Sequence, residues 1–186
     1  MRVVPPVALI DFSATDIYGD SFRLSDYRGN AIILSFFRDA SCPFCLKRVF
    51  DLAVHHRKWS QLGVEIVTVF SSTDEEMLNF SQKSVRRYRL VADPDLKIYE
   101  QYGVEQSFAG LLKALAFKMP TIISGLKRSA RPSKNPNGKI MPADFLIDSS
   151  GQIVEAWYGS NASGHIPMQK LHDFVKKTAL ANRSNL

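Results

Sequence analysis

The sequence predicts an α/β fold: a mixed central sheet with helices on both faces. Three observations predict it. Two apolar runs, Ala31 to Phe37 and Val64 to Phe70, are separated by a stretch of helical apolar spacing, Leu46 to Trp59, the pattern of two parallel strands joined by a helical crossover. Two further strand-like runs, Pro142 to Asp148 and Gln152 to Tyr158, flank the turn Asp148-Ser149-Ser150-Gly151 and read as an antiparallel hairpin. Between the first strand and its helix lies Phe36-Phe37-Arg38-Asp39-Ala40-Ser41-Cys42-Pro43-Phe44-Cys45, which holds the two cysteines of the chain.

In chain order, Ala8 to Ser13 and Ser21 to Leu24 read as two short strands around Tyr18-Gly19-Asp20, an N-terminal β-hairpin. Ser25 to Gly29 is a loop or helical turn. After the strand 64–70, Thr73-Asp74-Glu75-Glu76 is a capping box and predicts a helix to about Tyr88. Arg89 to Ala92 is a short strand, and Asp93-Pro94-Asp95 caps a helix reaching Tyr102-Gly103. Ser107 to Met119 carries a helical apolar stripe, and Ile122 to Lys139, rich in Ser, Lys, Arg, Pro, Gly and Asn, reads as a mobile loop. Pro167 opens a last amphipathic helix with Met168, Leu171, Phe174 and Val175 on one face. There are no internal repeats, and 186 residues suit one domain, 1–186, with an insertion at 106–141.

Composition narrows the function classes. No apolar stretch reaches the length of a membrane span, and the short, proline-broken start Met1-Arg-Val-Val-Pro-Pro is unlike a signal peptide. With two cysteines, this favours a reducing cytoplasm, where a C-x-x-C is catalytic more often than structural. The net charge of +6 is local: seven Lys and Arg and no acid lie between Gln106 and Ala143, leaving the remainder at −1. That argues against a nucleic-acid-binding face on the whole domain. The basic segment suits a lid, an oligomer contact or a docking surface for an acidic protein.

The chemistry follows from the junction. Pro43 at the first helical position presets the turn. The Cys42 sulfur there meets the free amides and dipole of a helix start, which lower a thiol pKa; Arg38, Lys47 and Arg48 add to this if they point inward. Cys45, one turn deeper, is the sheltered partner. An exposed, acidified thiol with a sheltered neighbour suits thiol–disulfide exchange, with Cys42 as nucleophile and Cys45 resolving. A zinc site needs about four ligands, and His55 and His56 lie about three helical turns off. A structural disulfide at this spacing gains little loop entropy.

The element order and this turn resemble the thioredoxin fold, and more closely its peroxiredoxin-like branch, the alkyl hydroperoxide reductase and thiol-specific antioxidant (AhpC/TSA) family. The likeness is carried by Phe22 to Gly29 with Ile32 to Phe37, Gly63 to Val69, Ala92 to Asp95 through Tyr102 to Val104, and Pro142 to Asp148 with Gly151 to Ile153. The resemblance implies that Pro142 is a cis-proline facing the cysteines, with Met141 and Pro142 presenting backbone groups to an extended disulfide substrate; the alternative is a trans proline at a strand start. It also exposes departures. Peroxiredoxins carry Pro-x-x-x-Thr/Ser-x-x-Cys, and those offsets from Cys42 give Ser35 and Asp39. The activating arginine falls on Pro142, so Arg38 is the substitute candidate. Asp39, if buried nearby, opposes thiolate formation. The loop 159–166 should border the site, with His165 as a proton-exchange candidate; Trp157 and Tyr158 read as packing rather than platform.

Three functions are expected in order: a thiol–disulfide oxidoreductase acting on protein or small-molecule disulfides; a thiol peroxidase reducing hydroperoxides through a Cys42 sulfenic acid; and a non-catalytic module holding a cluster or soft metal between two chains. The first two require a thiol reductant such as a thioredoxin or glutathione system and no cofactor. Neither nucleic acid nor membrane is an expected partner, and an oligomer is compatible with the sequence.

Overall fold

The computed structural model describes residues 1–81, 88–104 and 140–184. Eight strands are seen there: β1 Val7–Ala8, β2 Ser13–Thr15, β3 Ser21–Arg23, β4 Ala31–Phe37, β5 Val64–Phe70, β6 Arg89–Ala92, β7 Ala143–Ile147 and β8 Gln152–Tyr158. The helices are α1 Pro43–Gln61, α2 Asp74–Ser81, α3 Lys97–Gln101 and α4 Met168–Ser184. Six strands form one sheet in the order β1-β8-β7-β4-β5-β6, and β2 pairs with β3 in a separate hairpin. The β4–β5 and β5–β6 pairs are parallel; β7 runs antiparallel to β4, and β8 to β7.

Every residue of β4 is buried, as a central strand covered on both faces must be. One face packs Ile33, Phe37, Ile66 and Phe70 under Val49, Leu52 and Trp59 of α1, Met77 and Phe80 of α2, and Leu171 and Phe174 of α4. The opposite face packs Leu34, Phe36, Val67 and Phe145 against Phe12, Phe22 and the α3 side chains Ile98 and Tyr99, with Tyr102 just beyond. The Tyr99 hydroxyl donates to the carbonyl oxygens of Phe37 and Val69, tying the ends of β4 and β5 together. The mixed sheet with helices on both faces is therefore as expected.

Several boundaries differ. The hairpin spans 13–23 rather than beginning at Ala8, because Val7–Ala8 is drawn to the sheet edge against β8. Helix α2 is described to Ser81; residues 82–87 lie outside the described residues, and Tyr88 is already beyond any helix. The expected helix 107–119 and loop 122–139, the bulk of the 106–141 insertion, also lie outside them. One expectation is overturned. Met141–Pro142 is trans, and the cis bond among the described residues joins Pro5 to Pro6. Pro142 simply starts a strand: it sits just before β7, where its missing N–H costs the ladder nothing, and its carbonyl accepts the Gly159 N–H at 2.8 Å. No described helix is long and apolar enough to cross a membrane.

Candidate active site

The site is built where β4 ends. Ser71, just past β5, donates its hydroxyl to the Arg38 carbonyl, and Ser72 accepts the Ala40 N–H at 2.9 Å, so the turn 38–42 is pinned from below. Asp39 braces it from within, its carboxylate accepting the Ser41 N–H at 2.8 Å and the Ser41 hydroxyl at 2.5 Å. Cys42 then caps the 19-residue α1, with Pro43 leading the helix. Both cysteines are free thiols.

Cys42 and Cys45 are each only 2% exposed. The sheltered position of Cys45 is as expected; the open position of Cys42 is not. Both belong to the buried cluster that also holds Phe37, Val49, Leu52 and Ile166, a consequence of tertiary packing on a turn whose sequence pattern looks like a surface junction. The Cys42 thiol is nonetheless lowered to about 7. The largest cause is hydrogen bonding from the Cys45 thiol; burial opposes it, the Arg38 charge and the Cys45 amide support it, and Asp39 opposes it. Helix-start amides therefore contribute, but the neighbouring thiol dominates. Cys45 is pushed well above the ordinary thiol value by burial first and by the Cys42 charge.

Arg38 is brought to the site: its Nη2 donates to the Cys42 Sγ at 3.2 Å while its Nε lies 3.4 Å from Asp39. Its guanidinium is held charged against burial by Cys42, Cys45 and Asp39. Lys47 turns outward to pair with Asp51 at 2.6 Å. Arg48 turns inward, where burial lowers its pKa and the charges opposing that are Asp144 and then Asp51 rather than the cysteines.

His165 is brought to the site, its ring 4.6 Å from that of Phe37, centroid to centroid. Its Nδ1 meets Asp144 at 3.0 Å, and Asp144 also accepts from the Ser35 hydroxyl at 2.6 Å and the Ile166 N–H at 2.8 Å. Burial pushes the Asp144 carboxyl up, but His165, Arg48 and Ser35 outweigh it and hold it below the usual range. Sequence reading missed Asp144, and it placed Arg48 by the cysteines rather than facing Asp144. A carboxylate inside the apolar run Ala143 to Ile147 was the available signal. Met141 is buried, and the Pro142 carbonyl accepts the Gly159 N–H. Trp157 donates to the Gly164 carbonyl and Tyr158 to that of Tyr102, both packing roles. Among the described residues, no group of three or more His, Cys, Asp or Glu is placed to hold a metal ion.

An acidified thiolate beside a shielded thiol and an arginine defines a thiol-based redox centre. The AhpC/TSA family model matches residues 7–156, and the chain belongs to this family. It is an oxidoreductase of the peroxiredoxin and thioredoxin-like kind. It is 28% identical to peroxiredoxin Bcp of Escherichia coli K12 over 166 residues, 88% of this chain and 87% of the relative. Among solved structures, a cysteine-to-serine mutant of Xylella fastidiosa PrxQ superposes with a TM-score of 0.69 at 16% identity, covering 97% of this chain and 99% of that one. A thiol:disulfide interchange protein from Chlorobium tepidum gives 0.59 at 16%, covering 96% and 99%. Both share the fold.

Proposed function

We propose that the chain is a thiol peroxidase in which Cys42 is the peroxidatic cysteine and Cys45 resolves it. The observation that carries this reading is a buried thiolate hydrogen-bonded by Arg38. A sulfur with 2% of its residue exposed suits a small hydroperoxide better than a protein disulfide, which needs two sulfurs aligned on the nucleophile and a backbone edge to lie along. The sequence-based preference for disulfide exchange is thereby reversed, and the peroxiredoxin relatives support the change.

The Cys42 thiolate attacks one hydroperoxide oxygen; the O–O bond breaks and its electron pair leaves on the alkoxide. Arg38 stabilises that developing charge, and solvent supplies the proton that makes the alcohol. Cys42 is left as a sulfenic acid. Cys45 then attacks the Cys42 sulfur, forming the disulfide and expelling water. A thiol reductant, one dithiol of the thioredoxin type or two equivalents of a monothiol of the glutathione type, returns both thiols; a cytoplasmic setting suits that supply. Arg38 takes the part of the arginine displaced by Pro142, while Asp39 stands where a hydroxyl would orient the peroxide.

Stopped-flow mixing of the reduced protein with hydrogen peroxide tests this reading. A rate about 100-fold or more above that of a free thiolate, the scale of one positioned electrostatic donor, is expected and should be lost in Cys42→Ser. A rate equal to a free thiolate's rejects the peroxidase. Disulfide exchange is the second reading, favoured by the Cys45 thiol donating to Cys42 as in a dithiol couple. Rapid insulin reduction by a protein unreactive to peroxide would establish it instead.

A further inference from the structure

We propose that the Asp39 carboxylate accepts the O–H of the incoming hydroperoxide and so selects neutral hydroperoxides over anionic ones. The inference rests on the peroxidase reading above and names the substrate class for it.

One arginine sets the geometry. Arg38 holds the Cys42 Sγ on Nη2 at 3.2 Å and has the Asp39 Oδ2 beside Nε at 3.4 Å. Nη2 and Nε share one edge of the planar guanidinium fork, so the reacting sulfur and the carboxylate oxygen face the same edge. Asp39 is itself buried, with its side chain 3% exposed. Its Oδ1 alone carries the turn brace, accepting both the Ser41 N–H and the Ser41 hydroxyl; Oδ2 takes no part in it. The approach of Nε to Oδ2 is an ion pair and not a hydrogen bond, and Nε is a buried donor with no hydrogen-bond partner among the described residues. Beside the sulfur there is therefore one unmatched donor and one carboxylate oxygen. A neutral hydroperoxide matches that pair, because one of its oxygens accepts while the other donates its O–H.

Before substrate arrives, Asp39 works against the nucleophile: its charge raises the Cys42 thiol while Arg38 lowers it. Its contribution comes when the hydroperoxide is bound. With the O–H on Oδ2, the attacked oxygen is held beside Sγ and the neighbouring oxygen meets Nε. The thiolate forms the S–O bond, and the O–O electron pair leaves on the oxygen at Nε, where solvent protonates it. The hydrogen on the attacked oxygen stays, and becomes that of the Cys42 sulfenic acid. An anionic peroxide instead brings its charge against a buried carboxylate, where repulsion is weakly screened. Asp39 thus lowers thiolate supply and raises the selectivity of the step that uses the thiolate.

The test separates substrate handling from thiolate supply. Reduced wild type, Asp39→Asn and Asp39→Thr are mixed by stopped flow with hydrogen peroxide and with peroxymonosulfate, an anionic peroxide, above the Cys42 midpoint of about 7. Asp39→Asn keeps an oxygen for the Ser41 brace but puts an amide donor in place of Oδ2. Its hydrogen peroxide rate should fall about 10- to 100-fold, the scale of a hydrogen bond to a charged group, although its Cys42 midpoint falls and its thiolate is more abundant. A residue that only braces the turn or opposes the thiolate predicts the reverse, a rate equal to or above wild type, and that result overturns the proposal. Asp39→Thr returns an acceptor without the charge. It should recover part of the hydrogen peroxide rate and raise the peroxymonosulfate-to-hydrogen-peroxide ratio about tenfold over wild type; an unchanged ratio overturns the selectivity. A wild type no faster than a free thiolate rejects the peroxidase reading and this proposal with it, whereas a fast wild type with unaltered variants rejects this proposal alone. Where neither variant folds, the wild type decides. Its ratio for the two peroxides should lie about tenfold below that of free cysteine thiolate, and an equal or higher ratio overturns the proposal.

Discussion

Two side chains set the charge on Cys42, and each can be removed alone. The Cys45 thiol is the largest support of the thiolate, so Cys45→Ala should move the Cys42 midpoint upward from about 7, read as the pH dependence of iodoacetamide alkylation. Arg38 is the next support, through its 3.2 Å bond. A hydrogen bond to a charged group contributes about 1.5–3 kcal/mol, so Arg38→Met should slow peroxide reduction roughly 10- to 100-fold. Arg38→Lys should recover part of the loss, because charge returns without the planar fork. Asp39 acts in the opposite sense; Asp39→Asn lowers the Cys42 midpoint further. An unchanged midpoint in that variant would remove Asp39 from the account. The sequence made Cys42, Cys45, Arg38 and Asp39 legible because spacing around a strand–helix junction constrains them. It could not show that Cys42 would be buried, since exposure there depends on tertiary packing into the cluster shared with Phe37, Ile166 and α1.

The elements most readable from sequence were those with a strong period or composition. The runs 31–37 and 64–70 are strands to the residue, and the Asp93 carboxylate caps α3 by accepting the Lys97, Ile98 and Tyr99 amides. The isomer of Met141–Pro142 was not legible, because the local cis–trans difference is only about 0.5–1 kcal/mol and tertiary packing decides it. The interior of β7 was half-legible: Asp144 broke an apolar run, but its partners come from 109 residues upstream, at Ser35, and from the loop after β8. Asp144→Ala would strand the Ser35 hydroxyl, the Ile166 N–H and the His165 ring. A loss of about 3 kcal/mol or more is expected in urea unfolding; a loss below about 1 kcal/mol would show that water replaces the carboxylate. Gly103 holds φ at +62°, and a Cβ there would lie 2.3 Å from the Met1 carbonyl oxygen. Gly103→Ala should cost about 1–3 kcal/mol and release the N-terminal segment to limited proteolysis.

At the scale of the whole molecule, the two faces of the sheet carry different duties. One face holds α1, α2 and α4 and, through them, the cysteines; the other is an aromatic core around Phe36, Tyr99, Tyr102 and Phe145 that fixes the ends of the strands. Acid should loosen the first face in stages. His55, stacked on Trp59 and edged by His172 of α4, is lowered by burial and then by His172. Its folded form resists protonation, so its contribution is present above the unfolded pKa, about 6.5, and is lost as pH falls below it. Asp144 is also lowered, so its contribution is lost only as pH falls below about 4. Denaturant midpoints measured from pH 8 to pH 3 should therefore decline in two steps. His55→Phe should remove the first alone; a single decline confined to below pH 4 in the wild type would contradict the His55 assignment.

The account stands on the anionic state of the Cys42 sulfur in a buried setting. Thiolate absorbance at 240 nm, titrated in the reduced protein and in Cys42→Ser, reads it directly. A transition centred at about 7 that disappears in the variant is predicted. A transition near the ordinary thiol value of about 8.5, or one that survives in Cys42→Ser, contradicts it.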